Sequence, residues 1–172
     1  MELFAKMIDR MTNAFGLIAG MLMLTGVVLV ITEVILRTFF DSTIYISEEY
    51  TAYFLVAISF FSLAYTLKDK GHIRVNFLFK LVKGTTGRYL IDIYSFTAGF
   101  LIFAVITVVT FHFFLDSIIT GSQSLQITRT YLAIPQSTIP LGSLIITLQF
   151  ASEICKSILQ LRKGEAYHLE DS

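Results

Sequence analysis

A chain of 172 residues has the length of about one soluble domain, but 55% of this one is hydrophobic and only 15% is charged, against roughly 25% charged in soluble domains. The formal net charge is zero, so nothing points to a nucleic-acid partner, which needs a basic surface. One cysteine, Cys155, excludes an intrachain disulfide and a thiolate metal cluster; in an apolar helix it serves to fill space.

Four stretches lack Asp, Glu, Lys and Arg: Met11 to Thr32, Tyr50 to Leu67, Ile93 to Leu115 and Thr130 to Ser152. Each is at or near the roughly 20 residues that cross a hydrocarbon core, and none shows the period-2 alternation of a membrane barrel. Backbone amides in hydrocarbon must be paired within the segment, so the spans are expected to be helices. The expectation is an all-α integral membrane protein. A single four-helix domain covers residues 1–164, with spans near 11–36, 48–67, 89–115 and 132–160, and a polar tail covers 165–172. The first span is longer than the 7–15 apolar residues of a signal peptide and no small-residue cleavage site follows it, so it is read as retained.

In chain order, the first span carries Gly16 and Gly20, a small-xxx-small pair suited to close helix packing. It ends on Glu33 and Arg37, four apart and so on one helical face. A short hairpin then leads to Glu48 and Glu49, with Ser47 placed to cap the second span and the acids placed in its first turn. Glu33, Arg37, Glu48 and Glu49 together read as a structural ion-pair cluster that locks the first two helices near the outer interface, rather than as a proton site. The second connector is basic. Over residues 74–83 a short amphipathic interfacial helix is expected, with Arg74, Lys80 and Lys83 as a basic stripe toward headgroups and five large apolar residues facing lipid or protein. Gly84 to Gly87 then resets the chain. In the third span, His112 is the one histidine that falls within a span, which is too few for a bis-histidine haem at matched depth. The fourth span starts near Pro135 and contains Pro140, so a bend or loosened turn is expected there. Near its inner end Glu153 can pair with Lys156, as Asp92 can with Arg88.

Orientation follows from the cations. Lys6, Arg10, the second connector with Lys68 to Arg88, and the C-terminal segment supply eleven basic residues on one side, while Arg37 and Arg129 supply two on the other. The positive-inside rule puts both termini in the cytoplasm. The outer loops then carry Asp41 and Arg129, candidates for docking a binding protein outside the membrane. No nucleophile–base pair, metal-ligand set or cofactor motif stands out, and no enzymatic activity or cofactor is expected. No span is broken by an unwound mid-membrane stretch of the kind that builds ion and substrate sites in transporters.

Leu36-Arg37 with Phe40 closing the first span, Ser47-Glu48-Glu49 opening the second, Gly71-His72-Ile73-Arg74-Val75 in the basic connector and Ile139-Pro140-Leu141-Gly142 in the fourth span occur in one order and spacing. That set resembles the small permease subunit, the Q type, of tripartite ATP-independent periplasmic (TRAP) transporters, over roughly residues 10 to 160. The chain departs from the family in lacking a tryptophan beside the fourth-span prolines and in having Asn76 where an Asp is common. The resemblance implies a multi-pass protein of the bacterial inner membrane and an accessory role. The implied partners are a large multi-span permease subunit with the sodium and substrate sites, a periplasmic solute-binding protein and membrane lipid, and the implied cargo is an organic acid, a sialic acid or a C4-dicarboxylate. The competing readings are an autonomous four-helix exporter using Glu33, and a membrane anchor for a redox enzyme.

Overall fold

In a computed structural model, which describes residues 2–69 and 85–163, the chain forms four long helices and one short one. Helix α1 spans Glu2–Phe40, α2 Tyr45–Lys68, α3 Thr85–Thr120, α4 Ala133–Gln136 and α5 Thr138–Lys163. Four spans are long and apolar enough to cross a membrane, with α4 and α5 counting as one. The interfacial helix expected over 74–83, with Arg74, Lys80 and Lys83, and the tail over 165–172 lie outside the described residues.

Helices α1, α2 and α3 run past their apolar stretches at both ends. At 1.5 Å per residue, the 39 residues of α1 extend about 58 Å, well beyond a hydrocarbon core of about 30 Å. Lack of charge marks the part of a helix that can sit in lipid. A breaker marks where the helix ends, and neither Gly nor Pro interrupts residues 2–15.

Two helix starts differ in their origin. The N-cap of α2 is Ile44, with no side-chain cap, and Ser47 is buried inside the first turn. The cap expected at Ser47 is therefore displaced by one turn, because the Glu33 carboxylate of α1 reaches across the hairpin to accept the Ile44 N–H at 2.7 Å. At the fourth span the expected loosened turn is present. Pro140 cannot donate to the carbonyl four residues back, and the helix is divided at Ser137 into α4 and α5.

Helix α5 lies at the centre, packed against α1, α2 and α3, while α1 also packs along α2. The apolar core joins Ala64 and Leu67 of α2 to Ile145, Ile146 and Phe150 of α5, flanked by Phe96, Phe100 and Phe103 of α3. Glycines allow the close approaches. A Cβ on Gly142 would lie 2.6 Å from the Phe60 Cβ and 2.9 Å from its backbone carbon, and one on Gly16 would lie 2.7 Å from the Tyr65 ring. Gly20, by contrast, faces open space, so only Gly16 of the small-xxx-small pair is a packing glycine.

Candidate functional site

Polar side chains gather at both ends of the bundle. At the end where α1 begins, α5 presents Gln149, Glu153 and Lys156 at positions i, i+4 and i+7, one helical face. The first turns of α1 present Asp9 and Thr12 to that face. Lys156 Nζ lies 2.8 Å from Asp9 Oδ1 and 2.7 Å from Glu153 Oε1. Gln149 Nε2 donates to both carboxylates at 3.0 Å, and its Oε1 accepts the Thr12 hydroxyl at 2.7 Å. Gln149 and Thr12 are fully buried, so each needs this partner. Helix α2 adds Lys68, which donates to Asn13 of α1 and lies 5.8 Å from the Tyr65 ring centroid. The cluster joins three helices, with both carboxylates paired to the one Lys156 ammonium.

The expected Glu153–Lys156 pair is thus present, and Asp9, Thr12 and Gln149 extend it. Asp9 stands between Lys6 and Arg10, where its sequence surroundings mark only a charged flank. Gln149 carried a better signal, as the one amide in the charge-free fourth stretch apart from Gln136 near its start.

At the opposite end, beside the hairpin between α1 and α2, the four residues expected to form one ion-pair cluster are arranged differently. No ion pair links Arg37 to Glu33, Glu48 or Glu49. Glu33 is engaged by the Ile44 N–H. Glu49 is buried, accepting from the Tyr53 hydroxyl at 2.5 Å and from the Thr128 hydroxyl of the third connector. Arg37 and Glu48 are exposed. The carboxylates take a backbone amide and two short-reach hydroxyls as donors here, and a guanidinium at a wet interface gains little from pairing.

Thr128 belongs to a hairpin-like loop. Gln123 and Tyr131 form an antiparallel bridge, Ser124 N donates to Thr130 O at 2.9 Å and Leu132 N to Ser122 O at 3.0 Å. Asp41 and Arg129, the candidate docking charges, are both exposed and both in the left-handed region, at φ 46° and 47°. Each therefore holds a defined outward position in its loop rather than an arbitrary one.

In the middle of the bundle, Thr107 meets Thr147 at 3.2 Å and Thr110 meets Ser143 at 3.5 Å between α3 and α5. These hydroxyls also bond to carbonyls of their own helices, which is the role expected of span hydroxyls. An apolar groove of about 330 Å³ between the outer halves of α1 and α2, lined by residues such as Met23, Val30, Phe54 and Ile58, suits a hydrocarbon group rather than an acid or a cation. Among the described residues no three His, Cys, Asp or Glu side chains are placed to hold a metal ion.

A family model described as tripartite ATP-independent periplasmic transporters, DctQ component, matches residues 26–160. Comparison with curated proteins and with solved structures gave no match. The matched segment contains all of α2 to α4 and most of α5. It begins after the first half of α1, so Asp9 and Thr12 lie outside it.

Proposed function

Since the chain belongs to the DctQ family of tripartite ATP-independent periplasmic transporters, we propose that it is the small membrane subunit that scaffolds a large permease subunit during sodium-coupled uptake of an organic acid. Membership of the family makes the protein a component of a transporter, and four apolar spans make it a membrane component. The scaffold role rests on one observation above all. The fully buried Gln149 is bonded across helices to Thr12 and Asp9 and within its own helix to Glu153, so it is satisfied at both ends of its amide. A side chain committed in this way holds helices in register and cannot also exchange a substrate without breaking its bonds.

In this reading both termini face the cytoplasm, the large subunit carries the sodium and substrate sites, and a periplasmic binding protein delivers a sialic acid or a C4-dicarboxylate. The loops holding Asp41 and Arg129 help to dock that protein, and the basic stripe Arg74, Lys80 and Lys83 faces lipid headgroups. The test is reconstitution in liposomes. Uptake should require the chain, the large subunit and the binding protein together, and should follow a sodium gradient. Substrate flux driven by this chain alone would replace the scaffold with an exporter, and Glu33→Gln would then abolish it.

A further inference from the structure

Helix α3 carries two stripes at helical spacing on opposite faces. Phe96, Phe100, Phe103, Thr107 and Thr110 form the stripe toward the bundle, packed on or hydrogen-bonded to α5. On the opposite face Tyr94, Leu101, Val105 and Val108 are exposed, and the same face continues to His112 and Asp116, also exposed. Among the described residues, neither the His112 nor the Asp116 side chain has a hydrogen-bond or ion-pair partner.

Their depth follows from the packing. Thr110 is level with Ser143 of α5, and the adjacent Gly142 rests on Phe60 of α2. Phe60 lies eleven residues inward of Glu49 and eight outward of Lys68, or about 16 Å and 12 Å along a helix. His112, two residues outward of Thr110, is therefore about 13 Å beneath the level of Glu49 and within the apolar span Leu90–Thr120. Asp116 is about 7 Å beneath it. Ionisable side chains at such depths ordinarily face the bundle interior or a partner. These two face away from the bundle.

We propose that the His112–Asp116 face of α3 receives a transmembrane helix of the large permease subunit, and that this helix brings an ammonium or guanidinium donor to the Asp116 carboxylate with a hydrogen-bonding group at the depth of His112. The proposal rests on the subunit reading above and adds to it the face and the chemistry of the contact. An acyl chain offers no donor and would leave both groups unsatisfied. A second copy related by a two-fold axis along the membrane normal would set His112 against His112 and Asp116 against Asp116, like against like at equal depth. A different helix with complementary charge satisfies both.

The experiment uses the chain co-expressed with the large subunit. A photocrosslinking residue is placed at Val105 or Val108 on this face, and at Leu24 or Val28 on the exposed face of α1. Adducts to the large subunit from Val105 and Val108 are expected. His112→Leu with Asp116→Leu should lower co-purification of the large subunit at least tenfold, while the melting temperature of the isolated chain stays unchanged, since neither side chain has a bond among its described residues. Adducts from α3 only to lipid or to a second copy, or co-purification untouched by the double variant, would overturn the proposal and leave the subunit reading standing. Absence of any large-subunit adduct from either helix, with uptake by the chain alone, would overturn the subunit reading itself.

Discussion

Helices α3 and α5 cross the membrane side by side and bury themselves to opposite degrees. Across the most apolar eighteen residues of each, half of those in α5 are buried and none of those in α3. Yet α5 is the more polar, carrying Ser143, Thr147, Gln149, Ser152 and Glu153, all buried. In water the apolar helix would take the centre. In lipid, apolar side chains gain nothing by leaving a solvent as apolar as themselves, whereas a hydroxyl, amide or carboxylate gains a partner only inside. Polarity thus selects the central helix, and apolarity leaves α3 free to face lipid and a partner.

The largest expected effect lies where α5 is most polar. Lys156→Ala strands Asp9 and Glu153 beside each other and should destabilise the detergent-solubilised chain by about 3 kcal/mol, the lower end for breaking a buried pair, because the Lys156 side chain keeps 30% of its surface. Pairing it with Asp9→Asn and Glu153→Gln should recover most of the loss in a double-mutant cycle of thermal unfolding. Strict additivity would mean that the three groups do not act together.

Close packing comes next. Gly142→Ala drives a methyl onto the Phe60 backbone and should cost about 1–3 kcal/mol. Gly16→Ala drives its methyl onto the base of the Tyr65 side chain, with Cγ at 2.9 Å and Cβ at 3.2 Å, and should cost somewhat less because a side chain yields more readily than backbone. Gly20→Ala meets nothing and should be neutral or stabilising by up to about 1 kcal/mol through helix propensity. Equal melting temperatures for all three variants would show that α5 does not sit against α2 as described.

At the hairpin between α1 and α2, Arg37→Ala should change stability by no more than about 0.5 kcal/mol, as expected for an exposed side chain without an ion pair among the described residues. Glu49→Ala should cost about 1–3 kcal/mol, since it leaves the Tyr53 and Thr128 hydroxyls without their acceptor. The reverse order would restore an arginine-centred clasp at this end. Smallest of all is the Arg129 pair. Arg129→Gly suits the φ of 47° and should leave the fold intact, and Arg129→Glu reverses the charge. If Arg129 helps to dock a binding protein, both should slow uptake, the reversal more so, and the difference should shrink as salt is raised.

Particular residues show how far the sequence could be read. The spans were legible because charge-free length is a local property, and so was the division near Pro140, since a missing N–H acts on its own helix. Ser47 was a sound cap by type, but the helix began a turn earlier because Glu33 of α1 was already at Ile44. Arg37 was read with three acids close in sequence, yet each of the two engaged acids found a different donor. His112 was visible as an ionisable residue in a span, whereas the direction it faces was not.

What the sequence determined by itself is whatever depends on nearby residues: four membrane helices, the asymmetry of their flanking cations, the broken start of the fourth, and a family-like order of short motifs. What the tertiary structure decided is which residues meet. Asp9 and Lys156 stand 147 positions apart and Glu49 and Thr128 stand 79, and no periodicity within one helix sets the rotation of another. That rotation follows from the summed preferences of every buried polar group for a partner, which is why α5 is at the centre and the His112 face of α3 is turned outward.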